Sequence, residues 1–249
     1  MTLPAYYTTL APFHRAFLEQ VPVLMYHKLG PRPRRVRLKG LYVSADLFAR
    51  QLQELRAAGF SSCQPDAALA QQARTFPRIC LTFDDGYTNV HRYGLPALEQ
   101  AGMAAIQFMV ADRLGGLNDW DVAEGEAPER LMDAGQIREW LAAGHAIGSH
   151  GLSHARLTDL PLAQAREEIA ASRKSLEDRF GVAVRHFCYP YGAFSPQLRD
   201  LVAEAGYASA CTTMAGFNDG QTDPWSIRRW LVRYRSRSLK AWLAARRGG

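Results

Sequence analysis

The stretch Arg78-Ile79-Cys80-Leu81-Thr82-Phe83-Asp84-Asp85-Gly86-Tyr87 runs an apolar strand directly into two adjacent carboxylates. Like charges side by side repel, and a buried strand end leaves them little water. A metal ion, a proton or an arginine has to stabilise them. Adjacent side chains on an extended backbone point to opposite sides, so the two aspartates are expected to do different work. A partner for them stands farther along, in Gly148-Ser149-His150-Gly151-Leu152-Ser153-His154.

Working outward, strands and helices alternate. Strands are expected at Val21–His27, Ile79–Phe83, Ala104–Val110, Val184–Cys188, Tyr207–Cys211 and Ile227–Val232. Ser44 is a good N-cap for a helix through Ala58, with Leu47, Phe48, Leu52 and Leu55 on one face and Gly59 as its stop. Further helices are expected after the double Asp to about Gln100, from Asp133 to Ala143, from Pro161 to Phe180, from Ser195-Pro196 to about Ala205, and from Ser238 to Arg247. A loop rich in Gly, Asp and Asn, Ala111–Pro128, is long enough to suggest a working loop over a site. Such alternation implies a mostly parallel sheet with covering helices, an α/β fold. No repeat, low-complexity segment or linker interrupts it. One domain over residues 21–249 is therefore expected, behind an N-terminal extension of residues 1–20.

The polar constellations His27, Asp84 with Asp85, His150 with His154, and the turn Tyr189-Pro190-Tyr191-Gly192 each follow a strand. In a barrel, those strand ends converge on one site. With the two histidines four residues apart, a single helical turn would place both rings on one face. Adding an Asp gives two imidazoles and one carboxylate with open positions for water. That set suits Zn²⁺ and also Fe²⁺, Co²⁺ or Ni²⁺. One Asp can ligate while the other serves as general base, and His27 is the natural candidate for the acid that amide cleavage requires.

Composition narrows the field. The net charge of +6 comes from clusters at Arg32–Lys39 and Arg228–Arg247, which solvated loops and a basic terminal helix would explain. An acidic glycan or membrane surface is the alternative. No basic helix carries interleaved aromatics and no nucleic-acid motif is present, which disfavours nucleic acid as a partner. Cys63, Cys80, Cys188 and Cys211 form no C-x-x-C pair, three lie in or beside apolar strands, and a reducing compartment is expected. With no basic, then apolar, leader in residues 1–20 and no apolar run of transmembrane length, the expected location is cytoplasmic.

Thr-Phe-Asp-Asp-Gly-Tyr at 82–87, Gly-Ser-His-Gly-Leu-Ser-His at 148–154 and Phe-Cys-Tyr-Pro-Tyr-Gly at 187–192 resemble successive motifs of the polysaccharide deacetylases. These form the NodB-homology group, carbohydrate esterase family four. The resemblance implies a distorted, usually seven-stranded (β/α) barrel that hydrolyses N-acetyl groups from amino sugars in a glycan. It implies Asp84 as catalytic base, Asp85, His150 and His154 as ligands of one divalent metal, and a backbone N–H in the turn at Pro190 and Tyr191 as oxyanion donor. Two features depart from the common pattern: Cys188 stands where many members carry Arg, and no His follows Tyr207 to act as the late acid. Val23-Leu24-Met25-Tyr26-His27 instead resembles the opening motif of the poly-N-acetylglucosamine deacetylase branch, in which the early His is the acid. Ile227-Arg228-Arg229-Trp230 resembles a late motif whose Arg orients the base. Arg229 is the choice and Arg228 the alternative. Asn118-Asp119-Trp120-Asp121 resembles that branch as well, with Asn118 and Trp120 as candidate substrate contacts. Other C–N hydrolases on this fold, or a catalytically silent glycan-binding protein, remain open at this point.

Overall fold

The computed structural model describes residues 3–34, 36–69 and 77–234. The expected closing helix at Ser238–Arg247 lies outside the described residues. Seven parallel strands form a curled sheet: β1 (Val23–Tyr26), β2 (Arg78–Phe83), β3 (Ile106–Met109), β4 (Ala146–Ser149), β5 (His186–Cys188), β6 (Ser209–Cys211) and β7 (Trp230–Leu231). Their order in space is β7-β1-β2-β3-β4-β5-β6, and the short strand Ser61–Ser62 adds to the start of β2. The last strand thus returns beside the first, with Leu24 opposite Trp230. On the other side an isolated parallel bridge, Cys211 to Ile227, links the strap before β7 to β6. The barrel is incompletely closed, and residues 227–232 lie along its seam.

Helices cover the outside, and their ends follow from local chemistry. The Ser44 hydroxyl accepts the Leu47 N–H at the start of Ala45–Ala57, and Asp133 with Gln136 forms a reciprocal capping box at Ala134–Ala142. Thr88–Ala101 and Leu162–Phe180 stop at Gly102 and Gly181, both left-handed. Ser195 caps Pro196–Glu204.

The period of two along the strands separates two cores. Leu24, Tyr26, Leu81 and Phe83 face the helices, while Val23, Cys80, Phe108, Cys188 and Cys211 fill the narrow interior. Cys80, Cys188 and Cys211 are buried and form no disulfide, and Cys80 and Cys211 behave as small hydrophobes. The segment before Val21 joins the outer core. Tyr7 donates its N–H to Leu231 O and accepts from the Arg233 N–H, both at 3.0 Å. Phe13 packs edge-on against Trp230 with ring centroids 5.2 Å apart.

Two histidines are buried neutral at the opposite end of the sheet from the aspartates. His145 Nδ1 accepts the Ala105 N–H, so a proton placed there would face a donor. Burial holds its pKa down at about 4. Burial likewise lowers His186, beside Ser209, to about 4. Both folded values lie below the ordinary His value, so the unfolded chain binds protons first as pH falls. This part of the stability is complete above pH ~6.5 and is lost progressively between ~6.5 and 4. Thermal unfolding should show a falling midpoint over that window, and a His145→Gln/His186→Gln variant should lose a few degrees less than wild type.

Candidate active site

Thr82 and Asp84 follow Cys80 to the barrel interior by strand alternation, and the Asp84 N–H continues the ladder to Tyr26 O at 3.0 Å. There Asp84 meets Arg229 from the seam. The guanidinium donates Nη1 to Asp84 Oδ1 at 2.7 Å and Nη2 to Oδ2 at 2.8 Å, a bidentate fork. Its remaining donors reach Thr82 Oγ1, Thr212 O and Cys188 Sγ, the last at 3.1 Å. Arg229 is fully buried. The space that an Arg at position 188 would need is therefore entered by an Arg from another strand, with the small thiol making room. Arg228, by contrast, is exposed and has its backbone bonded to Asn218. Burial pushes the Asp84 carboxyl up, but the charge and hydrogen bonds of Arg229, aided by His27 and His150, hold it below the ordinary range.

Asp85 leaves the strand with φ +75. Its Oδ1 lies 3.2 Å from His150 Nε2 and 3.3 Å from His154 Nε2, and all three residues are buried. The histidines do not share a helical turn, as their spacing had suggested. His150 follows the end of β4, and Gly151 (φ +80) and His154 (φ +67) curl the chain into a tight loop that brings the second ring back. Asp85, His154 and Tyr191 (φ +61) are the non-glycine residues with positive φ among the described residues, and all three stand at this site. Gly148 is needed one step earlier, because a Cβ there would lie 2.8 Å from the His186 carbonyl oxygen.

Sequence reasoning missed the residue that holds the loop. Glu168 Oε2 accepts the N–H groups of Leu152 and Ser153, each at 2.9 Å, and Oε1 accepts from Ser153 Oγ at 2.5 Å. It borders the buried face of the helix Leu162–Phe180, and no sequence signal marked it.

The triad fits a divalent cation. His150 Nδ1 donates to the Cys188 carbonyl at 2.7 Å, which leaves Nε2 as the ring atom turned to the Asp85 carboxylate, where it can carry a proton or, in its place, ligate a cation. Burial works against a charge on His150, but Asp85 and Asp84 favour one there and the balance lies towards positive. The Cys188 thiol, which burial pushes up, stays neutral and adds no charge. Asp84, His150 and Cys188 also cluster, but Arg229 already occupies that space with a fixed positive charge.

Around the triad lies a pocket of about 120 Å³. His27 forms one wall, with Nε2 3.8 Å from Asp84 Oδ2 and Nδ1 buried without a partner. Burial lowers its pKa against the pull of both aspartates. Trp120 lies flat on His154 with centroids 4.2 Å apart, and Tyr191 meets the same ring edge-on at 4.7 Å. Asn118 does not reach the pocket, since its amide is used within the loop, on Ala127 O, Asp121 and the Glu129 N–H. Pro190 is buried behind the turn, and Asp121 lines the pocket in Asn118's stead.

A curled parallel sheet with these groups at its strand ends defines a class, and comparison with known proteins supplies the family. The polysaccharide deacetylase family model matches residues 71–210, and the chain belongs to that family. It is 26% identical over 201 residues to YxkH of Bacillus subtilis, which carries the family's name; the match covers 79% of this chain and 66% of that protein. Among solved structures, the deacetylase PplD of Streptococcus pyogenes superposes with a TM-score of 0.75 at 20% identity, over 87% of this chain and 93% of that one. IcaB of Ammonifex degensii gives a TM-score of 0.73 at 25% identity, over 91% and 96%.

Removing the loop's anchor should loosen the ligands without touching them. Glu168→Ala is expected to weaken Zn²⁺ binding about tenfold in equilibrium dialysis, with the far-UV spectrum unchanged. Wild-type affinity would show that the loop is held by other contacts.

Proposed function

We propose that the protein is a metal-dependent hydrolase that removes N-acetyl groups from amino sugars in a glycan. The observation that carries this reading is the division of labour between the two aspartates. Asp84 is neutralised by a fixed Arg, whereas Asp85 faces the Nε2 atoms of two histidines, a donor set that a divalent cation would complete. Asp85, His150 and His154 would hold one divalent ion, with Zn²⁺ the best fit to this donor set and Co²⁺, Ni²⁺ or Fe²⁺ also compatible. Such an ion supplies acidification of a water and polarisation of a carbonyl oxygen.

The chain's own residues do the rest. Asp84, kept ionised and aimed by Arg229, takes the proton from the attacking water on a lone pair that the guanidinium fork leaves free. Its depressed pKa makes it a weak base, and orientation is what Arg229 contributes in return. His27, across the pocket, gives a proton to the departing amine. The turn at Tyr191 offers a backbone N–H to the developing oxyanion. A pocket of about 120 Å³ suits an acetyl group and leaves the sugar ring outside, against Trp120 and Tyr191. An acid from the first strand and an Arg from the last favour the poly-N-acetylglucosamine type of deacetylase. Among the described residues no helix is long and apolar enough to cross a membrane, and three buried cysteines without a disulfide favour a reducing compartment such as the cytoplasm.

Metal analysis followed by acetate release from N-acetylated oligosaccharides tests the proposal. Asp84→Asn should lower turnover by roughly 10²–10⁴-fold while retaining metal. His150→Ala should lose metal and turnover together, and chelation should abolish activity until metal is restored. Full activity in Asp84→Asn sinks the assignment of the base. Cleavage of formyl-amino sugars or cyclic ureides without acetate release redirects the substrate class.

A further inference from the structure

Lys28 directly follows His27, and its side chain is fully buried. Its ammonium makes no hydrogen bond. It lies 3.7 Å from Asp121 Oδ2, with the rings of Tyr87 and Tyr42 at 4.6 and 5.1 Å. A buried ammonium is costly unless a carboxylate and aromatic faces compensate it, and here both do. The same Asp121 oxygen accepts from Tyr87 Oη at 3.1 Å and Asn118 Nδ2 at 3.3 Å. Tyr87 belongs to the Thr-Phe-Asp-Asp-Gly-Tyr motif, two residues from Asp85. Asp121 belongs to the long loop, next to Trp120, which covers His154. One buried charge therefore joins the strand of the proposed acid, the motif of the two aspartates, and the loop that walls the pocket.

We propose that Lys28 is a positioning residue: through Asp121 it clamps the loop around Asn118–Val122 onto the pocket and so holds Trp120 against His154. The ammonium is too deeply buried to meet substrate, so it acts only through Asp121. Beyond this ion pair the loop is held by the bonds of Asn118 within it, by Glu126 accepting the Leu38 N–H, by the Tyr87 hydroxyl on Asp121 and by the Trp120–His154 stack. A loop of this kind opens locally at little cost once its anchor is removed. The effect on catalysis rests on the proposed deacetylase reading, whereas the effect on loop mobility does not.

Two measurements on the full chain separate the possibilities. For Lys28→Met, which keeps length and removes charge, hydrogen exchange at residues 117–124 should rise about tenfold or more while strand amides stay protected. KM for an N-acetylated chitooligosaccharide should rise about tenfold with kcat within about threefold, since the chemistry lies elsewhere. If the stranded Asp121 charge prevents folding, the Lys28→Met/Asp121→Asn pair restores a neutral core, and its loop exchange decides the matter. Unchanged loop exchange in a folded variant overturns the proposal. So does faster exchange spread evenly through the sheet, which marks a purely structural role. Should wild type release no acetate, the deacetylase reading falls, and the exchange measurement still decides the clamp.

Discussion

The buried fork between Asp84 and Arg229 is the interaction on which the rest of the site depends. Without it the barrel interior would hold an uncompensated carboxylate against Val23, Cys80 and Phe108, and breaking such a pair costs roughly 3–5 kcal/mol. With it, Asp84 is fixed in orientation and charge, and the interior can stay narrow and otherwise apolar. The fork also settles the identity of the second aspartate. Because Arg229 is wholly engaged by Asp84, Thr82, Thr212 and Cys188, it offers nothing to Asp85, which is left to the two histidines and to the cation proposed to bind with them.

Strain and support are concentrated at the strand ends. Three left-handed non-glycine residues bring the ligands and the Tyr191 turn into place, each at a cost of about 1 kcal/mol or more. Glu168 supports the His loop on one side, and the Lys28–Asp121 pair is the proposed support on the other. The reacting groups are thus set on a rigid sheet but aimed by loops, and each loop has one buried or half-buried charge as its anchor.

Much of this was legible in the sequence. Ser44, Asp133, Ser195, Gly102 and Gly181 marked helix ends, because capping is local chemistry that a few residues encode by themselves. The two aspartates, the two histidines, His27 and Arg229 were also readable, and the fold brings all six together. What failed was geometry that depends on distant parts of the chain. Four-residue spacing suggested a helical turn for His150 and His154, but the positive φ at His154 is imposed by packing and by Glu168. Asn118 read as a substrate contact, yet its amide is consumed by its own loop, while Asp121, in the same quoted stretch but not singled out there, faces the pocket. Nor did the sequence show that Tyr7, Phe13 and Phe17, expected in an extension, seal the outer edge of β7.

The seam has a consequence for how the molecule comes to exist on the ribosome. Asp84 and Arg229 are separated by 145 positions, and the strap bearing Arg229 leads into the last strand in chain order among the described residues. Closure of so long a loop is slow and entropically costly. Until it happens, the nascent chain carries a half-made barrel with an open flank between β6 and β1 and two bare aspartates at its rim. Assembly of the interior and completion of the proposed catalytic centre are thereby one event, so that a chain stalled short of that strand has neither.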